Sequence, residues 1–479
     1  MNPPIHILFL ARAAFLAWAL GATLPLASQT APSAHLPKEN PATTSQPKEN
    51  RMKPSSTSAP WDLSRCIHHA LAHNLRIKQQ EAARDQSAVE LSTARWSRLP
   101  NLNGNVGQSF NFGRALQDDN TYGDRNTQST SFSLSTGIPL FTGLRIPHTI
   151  ALQKLNLKAA VEDLKKAQED ISIQVTSAYL QILFQEELVK VAQNQVALSR
   201  EQLHRIEAFF ANGKASKAEV SEAQARLAQD ELSAVQADNN YQLALLELSQ
   251  LLELPSPEGF SIATPDETAA FSPLSAPEDI YAEAVLRKPD IQAARYRLEG
   301  ATHSVRIAQS AWYPQLSFGA GIGTNYYKLS GMENPSFSSQ WHRNLSKYLQ
   351  FSLSIPLFNR FETRNRVKSA RIQRTALSWQ LEESQKTLYK EIQQAYYNAV
   401  ASESKYRSSR AASEASEDAF RLMSEKHANG QASATEYDEA RTRWMQAISE
   451  NIQAKYDYLF RTKILDFYRG VPLALPTDE

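Results

Sequence analysis

Apolar side chains recur along this chain with two different periods. Ile171, Val175, Ala178, Ile182, Val189, Ala192, Val196, Leu203, Ile206 and Phe210 alternate spacings of three and four, with Gln185 and Ser199 in the two gaps. That spacing puts them on one stripe of a helix and predicts a coiled-coil seam. Residues 148–211 and 360–428 contain neither Gly nor Pro. Each stretch predicts a helix of about 100 Å at 1.5 Å rise per residue. The second carries a smaller, more polar seam: Leu388, Ile392, Ala395, Ala399, then serines and Phe420. Returning helices are expected over 214–254 and 431–469, likewise free of Gly and Pro, and a shorter helix over 61–99. A partner helix over 278–313 is expected to break near Pro289 and Gly300. Outside the seams these helices are polar nearly all round, as for a helix with water on two sides, one of them a lumen.

Elsewhere the period is two. Leu102, Val106, Phe110 and Phe112 alternate with Asn103, Asn105, Ser109 and Asn111, and Phe132, Leu134, Ile138 and Leu140 with Ser131, Ser133, Ser135 and Gly137. Leu316, Phe318, Ala320 and Ile322 alternate with Ser317, Gly319, Gly321 and Gly323, and residues 349–357 repeat the pattern from Leu349 to Leu357. These segments have about the ten-residue length of transmembrane β-strands, apolar on one face and small or polar on the other. Trp312, Tyr313, Phe141 and Phe358 mark one end; Tyr122, Tyr326, Tyr327 and Tyr348 lie towards the other, like two interfacial girdles. A half-buried sheet in a soluble protein would alternate in the same way.

The chain is also written twice. Ala70-Leu71, Ile77 and Pro100 recur as Ala284-Val285, Ile291 and Pro314, each 214 residues later. Past the next loop the offset becomes 217: Ile138-Pro139-Leu140-Phe141 matches Ile355-Pro356-Leu357-Phe358, Ala178-Tyr179 matches Ala395-Tyr396, and Asn212-Gly213 matches Asn429-Gly430. A single offset held over about ninety residues marks a duplication. Each copy supplies a short helix, two strands, a very long helix, a tight turn and a returning helix. Four strands cannot close a barrel, and lipid does not tolerate open sheet edges. If the strands span a membrane, several copies of the chain share one barrel: eight strands in a dimer or twelve in a trimer.

Composition narrows the class. With Lys+Arg 51 against Asp+Glu 50 the net charge is +1, which gives no overall basic surface for nucleic acid. Residues 1–28 read as a secretory signal peptide, with an apolar stretch behind His6 and Arg12, and 29–60 as a disordered leader rich in Pro, Ser, Thr, Lys and Asn. The first repeat then covers 61–254, a proline-rich linker 255–277, the second repeat 278–473 and a tail 474–479. The one cysteine, Cys66, sits in a helical apolar pattern, where a buried apolar role is expected. Gly319-x-Gly321-x-Gly323 lies inside a strand pattern with no phosphate-binding helix after it. His69 and His73 stand four apart on a helix without further ligands around them. No nucleophile elbow, zinc motif or Walker loop is present, so no catalytic residue, metal site or cofactor is assigned.

These features resemble the outer membrane efflux (TolC-like) family. The resemblance runs from Trp61-Asp62-Leu63 through Ala70-Leu71 to Asn74, and through Ala94-Arg95 and Leu99-Pro100. It continues in Lys288-Pro289-Asp290-Ile291, the two Pro-Leu-Phe strand ends, the two Asn-Gly turns and Ile464-Leu465-Asp466-Phe467-Tyr468. It implies a homotrimer in the outer membrane with a shared twelve-stranded transmembrane β-barrel, four strands per protomer, continuous with a coiled-coil barrel of α-helices through the periplasm. It further implies a passive exit duct for efflux or type I secretion rather than an enzyme. Its partners would be outer-membrane lipid, a periplasmic adaptor and a proton-driven or ATP-driven inner-membrane pump.

By the same resemblance Asn212, Gly213, Asn429 and Gly430 form the periplasmic tips that meet the adaptor. Glu436, Glu439 and Ala440 match an Asp-x-x-Asp-Ala segment that rings the narrowest point, and Glu219 matches an aspartate of the closing lock. Residues at i and i+3 share a helix face, so three copies of the glutamate pair would form an acidic constriction. Acids also favour any helical first turn, where the macrodipole stabilises them. The chain departs from the family where the lock's arginine stands: that position is Ala432, leaving Lys214 or Lys217 as substitutes. A periplasmic coiled-coil adaptor or scaffold without a channel explains the helices but leaves the alternating strands without a role, and a secreted enzyme explains only the signal peptide.

Overall fold

The structure is a computed structural model that describes residues 60–116, 120–124, 126–264, 274–330 and 332–473. The chain divides into two units, Met1–Ser56 and Thr57–Glu479, and every described residue belongs to the second. The expected signal peptide, nearly all of the leader and the tail 474–479 lie outside the described residues.

Asp62 starts the first helix, α1 (Leu63–His73), by accepting the Arg65 N–H at 2.9 Å. Asn74 stops α1 and caps α2 (Leu75–Trp96), accepting the Arg76 N–H. The expected single helix over 61–99 is therefore two, divided at an Asx cap. Strand β1 (Asn101–Asn111) follows, then a small ribbon of β2 (Arg114–Leu116) and β3 (Tyr122–Asp124), and strand β4 (Thr127–Phe141). The first long helix, α3 (Arg145–Ala211), and its return, α4 (Lys217–Leu251), complete the copy.

The second copy begins with α5 (Pro277–Arg287) and α6 (Pro289–Gln309), divided at Lys288. Proline occupies the first turn of each, where its missing N–H costs nothing. No break occurs at Gly300. It is buried mid-helix, and a Cβ there would come within 3.1 Å of Leu152 Cδ1, so the glycine lets α6 lie close against α3. Strand β5 (Gln315–Leu329), a short helix α7 (Phe337–Arg343) and strand β6 (Ser346–Ser354) lead to α8 (Glu362–Ala428) and α9 (Ala434–Arg469). Helix α7 has no counterpart in the expected element order, and β6 stops at Ser354 although the alternation runs on to Leu357.

Helices α3 and α8 are each 67 residues long, and their first and last residues are 217 apart. Both enter through a left-handed residue, Leu144 (φ 66°) and Phe361 (φ 63°), also 217 apart. The four main strands form one antiparallel sheet in the order β1-β4-β5-β6. The copies join in its middle, where β4 pairs with β5 (Phe132 opposite Thr324), and β1 and β6 each leave one edge unpaired among the described residues. The apolar face is open over most of its area, with Leu102, Phe110, Leu349, Phe351 and Leu353 exposed. The glycine run of β5 serves close packing: a Cβ on Gly321 would meet the Tyr348 ring at 2.5 Å.

Burial concentrates in the helices. One large cluster joins Cys66 and Ile77 of α1 and α2, Ile171, Val175 and Ile182 of α3, Leu245 and Leu248 of α4, and Ile262 of the segment after α4. A smaller one joins Ile280, Ile291, Leu388, Ile392 and Leu465. Cys66 is fully buried, and burial pushes its thiol up to about 12. The described part of the expected linker is pinned to this core. Trp61 N donates to Ser261 O and Ala263 N to Trp61 O, both at 2.9 Å, and the Tyr179 hydroxyl donates to Ala263 O. At the same level Lys288 reaches Glu169 Oε2 at 3.1 Å and lies over the Phe467 ring at 3.5 Å, tying the Lys-Pro motif of the second copy to α3 and α9.

Candidate functional site

The two α-hairpin tips are built alike. At the end of α3 the Lys214 N–H donates to Phe209 O at 2.8 Å, with Gly213 left-handed at φ 69°. At the end of α8 the Gln431 N–H donates to Lys426 O at 2.8 Å, with Gly430 at φ 69°. These are Schellman closures. A Cβ on either glycine would meet nothing within 4 Å, so backbone conformation alone requires glycine there. Asn212 and Asn429 are exposed beside them, each donating to the carbonyl four residues back, Ala208 O and Glu425 O.

The return helices also start alike. Ser216 caps α4 and Glu219 closes a capping box, its carboxylate accepting the Ser216 N–H at 2.8 Å. Ser433 and Glu436 repeat this at the start of α9, and Glu436 Oε2 also accepts the Ser433 hydroxyl at 2.8 Å. These bonds, the backbone one foremost, hold the Glu436 carboxyl below its ordinary range. Glu439, one turn on, is exposed and pairs with Arg443 at 3.3 Å. The structure therefore puts Glu436 and Glu439 on one exposed helix face. Glu219 instead faces the other hairpin across a cavity of about 70 Å³ lined also by Glu222, Arg226, Tyr437, Asp438 and Arg441, and neither Glu436 nor Glu439 lines it. Lys214 and Lys217 form no ion pair among the described residues.

A buried ion pair ties the hairpins together at the edge of that cavity. Arg441 of α9 is 1 % exposed and enters the first hairpin. Its guanidinium donates to Asp230 Oδ2 of α4 at 2.7 Å, to Gln195 O of α3 at 3.2 Å and to the Ser199 hydroxyl of α3. Ser199 in turn donates to the same Asp230 oxygen, and Arg226 Nε stands 3.9 Å from it. A guanidinium buried this deeply is tolerable only with its donors met, and removing one partner strands a charge. Sequence reasoning did not assign Arg441 or Asp230. The available signal was the Ser199 gap in the apolar seam of α3, a polar position facing a partner helix.

The end of the second hairpin is closed by rings instead. Phe420 stacks on Trp444 at 4.7 Å, and Tyr437 lies between Phe420 (5.5 Å) and His427 (4.9 Å). Burial raises the Tyr437 hydroxyl above its usual range. Away from the tips, the His69 and His73 rings stack at 4.1 Å, and no group of three or more potential metal ligands is present among the described residues. No helix among the described residues is long and apolar enough to cross a membrane.

The sequence model described as "Outer membrane efflux protein" matches residues 66–253 and 280–468 of this chain. The pyoverdine export outer membrane protein OpmQ of Pseudomonas putida is 29% identical over 229 residues, which span 44% of this chain and 47%, about half, of OpmQ. The alkaline protease secretion protein AprF of Pseudomonas aeruginosa is 24% identical over 409 residues, covering 82% of this chain and 80% of AprF. In fold, the CmeC outer membrane channel of Campylobacter jejuni superposes with a TM-score of 0.72 at 18% identity over 91% of this chain and 93% of CmeC.

Proposed function

This chain belongs to the outer membrane efflux protein family, and from that premise we propose that it is one protomer of a passive exit duct carrying substrates across the periplasm and the outer membrane. The observation that carries the reading is a four-stranded sheet, open at both edges and apolar on an exposed face, continuous with two hairpins built on 67-residue helices. An exposed apolar sheet face needs lipid, and an open edge in lipid needs another strand. A homotrimer closing twelve strands into one barrel answers both needs. The helices, at about 100 Å each, extend the duct through the periplasm. A coiled-coil adaptor without a channel gives the exposed sheet face no role.

In this reading a signal peptide directs export. The Asn212-Gly213 and Asn429-Gly430 tips meet a periplasmic adaptor and, through it, an inner-membrane pump, and the duct itself performs no catalysis. Glu436 and Glu439, exposed on one face, supply the acidic constriction, and the Arg441–Asp230 pair takes the place of the lock vacated at Ala432. Planar-bilayer recording tests the ring: Glu436→Ala with Glu439→Ala should weaken block by divalent cations, and unchanged block removes the acidic-ring assignment. Recovery of the protein as a heat-resistant trimer from outer-membrane fractions tests the duct, and a soluble periplasmic protein would sink it.

A further inference from the structure

Helix α7 lies against the apolar face of the sheet, at the end away from the long helices. Phe337 and Trp341 pack over Phe132 of β4 and Tyr326 of β5, with ring centroids 5.2 Å apart for Phe132–Trp341 and 5.5 Å for Tyr326–Phe337. The helix is fixed to the strand backbone. Gln340, 2 % exposed, accepts from Tyr327 N and donates to Tyr327 O, both at 2.9 Å, and the Thr324 hydroxyl donates to Trp341 O at 3.1 Å. Trp341 and Phe337 remain partly open outward.

Three cations flank the aromatic step along the chain: Lys328 precedes α7, and Arg343 and Lys347 follow Trp341. Lys347 sits opposite Ile322 and therefore on the apolar face. Arg343 ends α7, beside the Asn344 side chain that bonds to Asn325 O at 2.6 Å. Lys328 continues the same face of β5, two residues beyond Tyr326. All three are exposed, and none forms an ion pair among the described residues. In the helical region, by contrast, Lys165, Lys166, Arg366, Lys386 and Arg407 each hold a carboxylate one turn away. From 325 to 349 the sequence holds a single acid, Glu333. Two unpaired lysines on an apolar face that also carries Tyr326 and the Phe337–Trp341 step, with Arg343 at the end of the helix above it, fit the boundary where hydrocarbon meets anionic headgroups.

We propose that Lys328, Arg343 and Lys347, with the Phe337–Trp341 step, form a binding surface for a phosphate-bearing lipid headgroup of the outer leaflet. The proposal rests on the reading that the sheet's apolar face meets lipid. The phosphates accept charge-assisted bonds from Arg343 and the lysines while an acyl chain lies along Trp341 and Phe337.

The test compares binding of lipid A bearing both phosphates and of the same lipid with its phosphates removed, to the detergent-purified full chain. Lys328→Gln with Arg343→Gln and Lys347→Gln should weaken binding of the phosphorylated lipid roughly a hundredfold, on the order of fivefold per cation, and leave the dephosphorylated lipid unchanged. Lys347→Gln alone, at an exposed strand position, should give about a fivefold loss and guards against a triple variant that does not fold. Equal binding of both lipids by the wild type overturns the proposal, as does a triple variant that is folded and binds normally. Competition by inorganic phosphate at equal concentration also overturns it, showing a free-anion site. Fractionation separates the two readings: a wild type absent from the outer membrane removes the lipid-facing sheet itself, whereas a wild type present there but indifferent to the phosphates removes only this surface.

Discussion

The two α-hairpins share their helix lengths and turn chemistry but are held together differently. In the first, Ile171, Val175, Ala178 and Ile182 are all buried, and the seam ends in the Arg441–Asp230–Ser199 cluster. Each has a partner 217 residues on: Leu388, Ile392, Ala395 and Ala399. Beyond Ala399 the second hairpin departs, using Tyr406 stacked on Tyr458 at 5.9 Å and Phe420 on Trp444 in place of aliphatic packing. The Asp230 and Arg441 positions recur as Ala447 and Gln224, which cannot make an ion pair. Duplication copied the scaffold, and divergence gave one face between the hairpins a buried charge and the tip of the other an aromatic clasp.

The most forceful way to break this comparison is to strand the buried charge. Asp230→Ala leaves Arg441 without its counter-ion and should cost about 3–5 kcal/mol of stability, read as a lower urea midpoint of helical circular dichroism. Asp230→Leu combined with Arg441→Met should restore most of it, because a buried pair can be exchanged for apolar packing at little cost. Gln224→Ala should do almost nothing. An Asp230→Ala loss no larger than that of Glu439→Ala, which breaks only an exposed pair, would show the cluster to be ordinary surface chemistry.

A second contrast lies in the seams. Ile182→Ala empties a fully buried site and should cost about 2–5 kcal/mol, whereas Ala399→Gly at the matching position should cost about 1 kcal/mol. Equal losses would mean that the hairpins share one packing scheme after all.

The smallest effects should fall where the copies agree. Ser216→Ala and Ser433→Ala each remove an equivalent cap and should each cost about 1 kcal/mol. The second cap should also respond to acid. Because Glu436 is held below its ordinary value of 4.5, its contribution is complete above that pH and is lost as the pH falls through the lowered value. Amide exchange at the start of α9 should therefore quicken in that range, and Glu436→Gln should remove the acid dependence.

Much of this architecture was legible in the chain. The Gly- and Pro-free stretches placed both long helices, the 217-residue offset matched their ends, and the period-two segments fell within or beside the four main strands. The two Asn-Gly pairs marked the turns, and Ser216-x-x-Glu219 and Ser433-x-x-Glu436 carry the capping-box signature that the structure reveals. Arg441 was not legible, because nothing local distinguishes it from Arg443 two residues later. Its burial follows from how α9 meets the first hairpin, a long-range fact to which only the Ser199 gap alluded. Helix α7 escaped for a different reason: at seven residues it is too short to show a period, and it is held by Gln340 bonding to another strand's backbone.

The equal lengths of α3 and α8 carry one more consequence. Two legs that leave the same sheet through matched left-handed corners and turn at matched glycines act as a ruler whose graduations are helical turns. Removing seven residues from one leg preserves its heptad phase yet withdraws its tip by about 10 Å. The ruler then reads two distances at once, and a single surface meeting both tips would find only one within reach. Sequence along the two legs has been free to drift apart, from aliphatic to aromatic and from charged to neutral, while reach has remained the shared quantity.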